Sequence, residues 1–236
     1  ATNTGTTPVT ATITVTPSYT NAGTTCTGTP ITFTITVNPS AAISVQPANT
    51  AACAGQSAAF SVTATGVSLT YQWQVNSGSG FTNLANVSPY SGVTTPTLTI
   101  NPAALALNGN TYRVVVSSTC GTATSNAATL TVNPLPTISV APSGQCSPVT
   151  LTATGNSNTY SWSPALGLNT TTGATVIATT NTTLTYTVTG TITATGCTNT
   201  ATATVLGTPP PVVVTPANPT ICAGTIQQLT VPGGGA

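Results

Sequence analysis

The sequence predicts an all-β protein made of tandem β-sandwich repeats, and three observations carry that prediction. First, Val9 to Val15 (VTATITV), Ile31 to Val37 (ITFTITV), Leu98 to Ile100, Thr129 to Val132, Thr185 to Val188 and Thr200 to Val205 alternate apolar or small residues with Thr. Period-2 alternation rich in β-branched residues marks a strand with one buried face. Second, turn signals separate these runs, at Asn38-Pro39, Ser77 to Gly80, Asn108-Gly109, Asn133-Pro134 and Gly207 to Pro211. Third, no segment carries a 3.6-residue apolar stripe, and Ala103 to Leu107 offers one helical turn at most. The abundance of Thr, Ser, Ala, Gly and Pro also suits a mucin-like linker, but such a linker lacks ordered alternation. Many short strands without helices indicate sandwiches or barrels.

At 236 residues the chain has room for two ordinary domains or one large one. Its charge is the more decisive property. There is no Asp, Glu, His or Lys and a single Arg, Arg113, where a typical domain is about a quarter charged. General acid–base chemistry needs a group that exchanges protons near neutral pH, normally His or a carboxylate. None is present, so no Ser or Thr hydroxyl has an activating base within the chain. The expectation is therefore no enzyme and no catalytic residue.

Ca²⁺ and Mg²⁺ sites rely on carboxylates and catalytic Zn²⁺ sites on His. The six cysteines, at 26, 53, 120, 146, 197 and 222, form no CxxC pair or close cluster. No metal and no cofactor are expected. One Arg cannot neutralise the several phosphates on which nucleic-acid affinity rests, and no apolar run approaches the ~20 residues of a membrane-spanning helix. Neither nucleic acid nor membrane insertion is expected. Widely spaced cysteines among strand patterns suit a disulfide framework in an oxidising compartment.

The chain also repeats itself. Cys53-Ala54-Gly55 returns as Cys222-Ala223-Gly224; Val62 and Val231 each follow their Cys by nine residues, and Pro47 to Asn49 returns as Pro216 to Asn218. A divergent copy aligns through its Trp. Val62 precedes Trp73 (YQWQ) by eleven residues and Leu151 precedes Trp162 (YSWS) by eleven, with Tyr112-Arg113-Val114 and Tyr186-Thr187-Val188 at corresponding late positions.

These spacings resemble immunoglobulin domains, which place a core residue on strand B, a Trp on strand C about a dozen residues later, and on strand F a Tyr two residues before the partner of the strand B position. Antibody domains have cysteines at the B and F positions; this sequence has Val62 with Val114 and Leu151 with Val188, so an apolar pair is expected beneath each Trp. The expected core is Val62, Trp73, Tyr112 and Val114 in one unit and Leu151, Trp162, Tyr186 and Val188 in the next. On this alignment Cys53 precedes strand B and Cys120 follows strand F, and Cys146 and Cys197 bracket the next unit likewise. Bridges Cys53–Cys120 and Cys146–Cys197 are expected, each worth roughly 4 kcal/mol in a chain-entropy estimate. Cys26 and Cys222 are left unpaired or joined between chains.

The combination from Pro47 to Pro134, PANxxxCAGxxxxxxV, YxW, NPA…NGNTYRVVVS and NAATLTVNP, resembles the Ig-like repeats of very large Bacteroidota cell-surface proteins, including gliding-motility adhesins exported by type IX secretion. Pro8 to Pro39 is similar to the end of a PKD-like repeat of the same proteins, and Leu135 to Gly207, with YSWSPALGL and TYTVTGT, to another of their repeats. The resemblance implies a longer parent, an extracellular cell-surface location, and a role in adhesion or motility. It carries no ligand-binding residue, because the matched motifs are structural. The expected organisation is residues 1–39 as the end of a PKD-like or Ig-like repeat, 40–134 as an Ig-like sandwich, 135–207 as a shorter one, and 208–236 as a linker and the opening strands of another. This is a rod of tandem immunoglobulin-like sandwiches with incomplete units at both ends.

Trp73 and Trp162 are expected inward, with Tyr71 and Tyr160 on the opposite strand face; Tyr71, Tyr90, Tyr160 and Phe81 are candidate surface contacts for a polysaccharide or another adhesion target. Arg113 is expected outward and solvated. The TxT rows resemble ice-binding arrays but lack regular rungs, and β propensity accounts for them. The main functional reading is a non-catalytic stalk or adhesin segment whose partners are neighbouring repeats of the same parent chain. Near-zero net charge removes the repulsion between copies, so the alternative is self-association into an extracellular filament or sheath by strand complementation between the incomplete ends. A third reading is a spacer module of a secreted enzyme.

Overall fold

The computed structural model describes residues 2–208 and Ile226. The expected strands within 208–236, the second Pro-Ala-Asn motif and Cys222 lie outside the described residues. The chain divides into two compact units, Ala1–Leu135 and a second that begins at Pro136.

Unit 1 opens with a two-stranded ribbon. β1 (Val9–Val15) and β4 (Ile31–Val37) pair antiparallel from Val9↔Val37 to Val15↔Ile31. β2 (Ser18–Asn21) and β3 (Thr24–Thr27) pair between them, closed by Ala22 and Gly23 at φ 47° and 85°. Two consecutive positive φ values give a mirror-image turn whose twist matches the strands. Because the apolar residues of β1 and β4 keep the same parity, Val9, Ala11, Ile13 and Val15 face Val37, Ile35, Phe33 and Ile31 directly, and the threonines form the other face.

The rest of unit 1 is a sandwich of β5 (Ala42–Val45), β6 (Thr50–Cys53), β7 (Ala58–Ser61), β8 (Thr63–Thr65), β9 (Thr70–Asn76), β10 (Phe81–Asn83), β11 (Tyr90–Ser91), β12 (Thr97–Ile100), β13 (Thr111–Ser118), β14 (Gly121–Thr124) and β15 (Ala128–Asn133). One face carries the order β10-β9-β13-β15-β6, the other β11-β12-β7, and β5 pairs with β8. The last strand, β15, is antiparallel to β13 but parallel to β6. Such an arrangement needs a first strand that crosses from one sheet to the other, as β5 and β6 do in passing from β8 to β15. Leu105–Leu107 forms a 3₁₀ turn, the single one among the described residues.

Unit 2 repeats this plan with fewer strands: β16 (Ile138–Ala141), β17 (Gln145–Cys146), β18 (Val149–Gly155), β19 (Thr159–Ser163), β20 (Thr175–Ala178), β21 (Leu184–Ile192) and β22 (Cys197–Leu206). Its sheets run β17-β22-β21-β19 and β16-β18-β20, again with a parallel first-to-last pair, β17 with β22. A loop replaces the strands that correspond to β10 and β11, which shortens the unit. Two packed sheets, a Trp on the third principal strand and a Tyr on the penultimate one make both units immunoglobulin-like sandwiches.

Each core is built from alternate strand positions. In unit 1 Phe60, Trp73, Leu98, Ile100, Tyr112, Val114, Val116 and Leu130 are fully buried, and Val62 and Val132 nearly so. In unit 2 Leu151, Val176, Tyr186, Val188 and Val205 are fully buried and Trp162 nearly so. Each unit also places a glycine four residues after its strand B landmark, Gly66 after Val62 and Gly155 after Leu151, at φ 144° and 143°. A side chain at Gly155 would strike the backbone of Thr137, just before the adjacent β16, and one at Gly66 would meet Leu69 and Ala41. The close approach of the first strand requires glycine there.

Candidate functional site: the aromatic face and the cysteine poles

The two tryptophans sit in matching surroundings. Trp73 lies opposite Val114 and donates its indole N–H to the Thr95 carbonyl at 2.9 Å; Trp162 lies opposite Val188 and donates to the Gly173 carbonyl at 2.9 Å. Burying an indole requires such a partner, since an unpaired donor would forfeit its hydration. Phe60 stacks on Tyr112 at 5.0 Å between centroids and contacts Trp73 at 6.3 Å. The spacing argument does not single out Phe60, although Ala58, Phe60 and Val62 share one parity in the sequence.

Tyr112 and Tyr186 are the late tyrosines of the two units. The Tyr186 hydroxyl donates to the Leu166 carbonyl at 2.7 Å, and the Tyr112 hydroxyl lies 3.5 Å from that of Tyr90. Burial, followed by the Tyr90 contact, holds the Tyr112 phenol well above its ordinary pKa; burial alone raises that of Tyr186. Both hydroxyls stay neutral and serve packing.

The expected placement of the flanking tyrosines is corrected. Tyr71 and Tyr160 stand two residues from Trp73 and Trp162, and a two-residue step in a strand returns to the same face. Both are half-buried against the cores. Tyr90 is likewise half-buried against the unit 1 core. Arg113 does point away from the core, but it is half-buried rather than fully solvated. Its Nε donates to Gln74 Oε1 at 2.7 Å, its guanidinium lies 4.0 Å over the Phe81 ring, and Gln74 in turn donates to Asn83 Oδ1 at 2.8 Å. This joins β13, β9 and β10 on the outer face, and the lone cation is held by a neutral amide and a π-face.

The expected disulfide pairing is also corrected. Cys120 and Cys146 are exposed free thiols, as is Cys26, while Cys53 and Cys197 are disulfide-bonded. Neither the Cys53–Cys120 nor the Cys146–Cys197 bridge exists, and strand direction explains why. Cys146 pairs opposite Leu206, the last residue of β22, whereas Cys197 is the first. Nine steps at ~3.3 Å separate them by about 30 Å, against a Cα limit of about 7 Å for a bridge. In unit 1, Cys53 lies opposite Asn133 at the end of β15, which antiparallel pairing sets below the start of β13; Cys120 follows the far end of β13. Their separation is of the same order.

Each unit thus carries one cysteine at each pole. At the leading pole, where the chain enters, the Ser40 hydroxyl donates to the Cys120 carbonyl in unit 1, and the Asn199 amide, two residues from Cys197, donates to the Pro136 carbonyl in unit 2. At the trailing pole, where the chain leaves, Ala54 N–H donates to the Asn133 carbonyl beside Cys53, and Ser147 N–H to the Leu206 carbonyl beside Cys146. Among the described residues no group of three or more metal-ligating side chains occurs, and no helix is long and apolar enough to cross a membrane.

No family model and no curated protein matches the sequence. Among solved structures the chain is similar to the titin domains Z1Z2 in complex with telethonin, at 18% identity over 73% of this chain and 98% of that one, with a TM-score of 0.39. It is also similar to the titin I-band fragment I67–I69, at 15% identity over 71% and 65% of the two chains with a TM-score of 0.39. A third likeness is to the N-terminal four Ig domains of Dscam1 isoform 1.9, at 17% over 70% and 46% with a TM-score of 0.35. The immunoglobulin-like assignment rests on strand order and core packing in each unit.

Proposed function

We propose that this chain is a non-catalytic stalk segment of a large bacterial cell-surface protein, a spacer that holds neighbouring repeats and takes part in adhesion or motility. The observation that carries this reading is a pair of immunoglobulin-like sandwiches on a sequence without any Asp, Glu, His or Lys. Such a framework has no side chain suited to shuttle a proton near neutral pH apart from thiols. Its disulfide-bonded Cys53 and Cys197 suit an oxidising, extracellular compartment, and the motifs from Pro47 to Pro134 resemble repeats of Bacteroidota surface adhesins. Phe81, half-buried beneath Arg113, is the aromatic that an adhesion target would meet on the outer face of unit 1. Antibodies raised against the chain test the location: they label intact cells of the producing organism, and labelling only after lysis contradicts the reading.

A second reading, a filament subunit joined by strand complementation, is favoured by the ribbon. Ile31 is 69% exposed, and Phe33 and Ile35 nearly half, so β1 and β4 present an apolar stripe without a covering sheet among the described residues. A two-stranded ribbon is marginal by itself, and a strand or sheet from another copy would bury this stripe.

A further inference from the structure

Within the two sandwiches the four described cysteines occupy two kinds of place, and one of each kind is disulfide-bonded; Cys26 lies apart, on β3 of the ribbon. Cys53 and Cys146 close the short strand that runs parallel to the last strand of the unit, beside the point where the chain leaves. Cys120 and Cys197 lie at the turn between the last two principal strands, beside the point where the chain enters. Cys53, a trailing-pole cysteine, and Cys197, a leading-pole cysteine, are both disulfide-bonded, and neither is bonded to the cysteine at the opposite pole of its own unit. Their counterparts, trailing Cys146 and leading Cys120, are exposed free thiols. Four cysteines thus form two kinds of pole, with one bonded and one free representative of each.

We propose that Cys146 and Cys120 are complementary linking sites, the trailing-pole thiol of one copy of this chain forming a disulfide with the leading-pole thiol of a second copy, head to tail. Both thiols are exposed at the ends of their sandwiches: Cys146 is the last residue of the two-residue β17, paired at the edge of its sheet with Leu206, and Cys120 lies in the turn after Ser118 with its sulfur 3.7 Å from the Thr119 hydroxyl. The oxidant is a small disulfide such as oxidised glutathione. The Cys146 thiolate attacks it, releasing one glutathione thiol and leaving a mixed disulfide; the Cys120 thiolate of the second copy then displaces the other glutathione. Two protein thiols and one glutathione disulfide become one protein disulfide and two glutathione thiols. The junction deepens the stalk reading, yet peptide bonds alone suffice for a stalk, so its failure leaves that reading standing.

The test uses the full chain with Cys26→Ser and Cys222→Ser, in a glutathione redox buffer, followed by non-reducing electrophoresis and mass mapping of cross-linked peptides. The parent forms a ladder of reducible multimers. Addition of Cys120→Ser or Cys146→Ser leaves each variant monomeric by itself, while an equimolar mixture of the two gives dimer and nothing larger, with Cys146 joined to Cys120. Three results overturn the proposal: no multimer from the parent, as much dimer from either variant alone as from the mixture, or a mapped bond between like cysteines.

Discussion

At the residue scale the chain titrates in an unusual way. Acid unfolding of most proteins is driven by carboxylates and histidines whose protonation differs between folded and unfolded chains, and this sequence contains none. Its shifted groups are Tyr112 and Tyr186, both raised by burial. A raised folded pKa means that the folded state holds its proton more tightly, so the stabilisation is complete below the unfolded value near 10 and is lost as pH climbs past it. Denaturant midpoints therefore stay level from about pH 3 to pH 9 and fall above about pH 10; Tyr186→Phe, which removes one of the two phenols, reduces that alkaline fall. A midpoint that drops in acid contradicts this account. Truncating Trp162 to Ala removes the largest side chain of its core and an indole hydrogen bond, a cost of about 3–5 kcal/mol, read as a lowered midpoint for unit 2. The core positions were legible because the Trp and Tyr recur at equal spacing in two units. Tyr71 and Tyr160 were misplaced although strand parity settles them, whereas Phe60 and the Arg113–Gln74–Phe81 contact depend on cross-strand neighbours that one strand's pattern does not reveal.

At the scale of elements, strands were legible where Thr alternates with apolar residues, as in β1, β4 and β22, because alternation fixes both the extended backbone and the buried face. Short strands such as β6 and β17 were not, since they are defined by the last strand of the unit, some 80 and 60 residues further along the chain. Gly155 belongs to the same class of hidden constraint. Gly155→Ala forces a side chain against the Thr137 backbone at φ 143°, and about 1–3 kcal/mol of stability is expected to be lost; an unchanged melting temperature contradicts the close approach of β16. The ribbon offers a separate test. If its apolar stripe drives association, Phe33→Thr with Ile35→Thr extends the Thr rows, keeps the β propensity and lowers the sedimentation coefficient at high concentration to that of a monomer. Equal sedimentation of variant and parent removes the support for a filament.

At the scale of the whole molecule, each sandwich closes its own core around its own Trp, and the pairing of the first strand with the last returns the chain to the pole opposite its start. That return defeats the disulfide pairing inferred from sequence: cysteines that bracket a unit along the chain sit at its two ends, about 30 Å apart. Linear order does not reveal the direction of the strands that carry Cys53 and Cys146. The proposed stalk requires that its two immunoglobulin-like units fold separately. Single-molecule extension of the reduced protein between N- and C-terminal handles tests it most directly. At ~3.6 Å per extended residue, less the folded length, Ala42 to Asn133 and Ile138 to Leu206 yield two discrete steps of about 30 nm and about 20 nm. A single combined step, or smooth extension without steps, contradicts it.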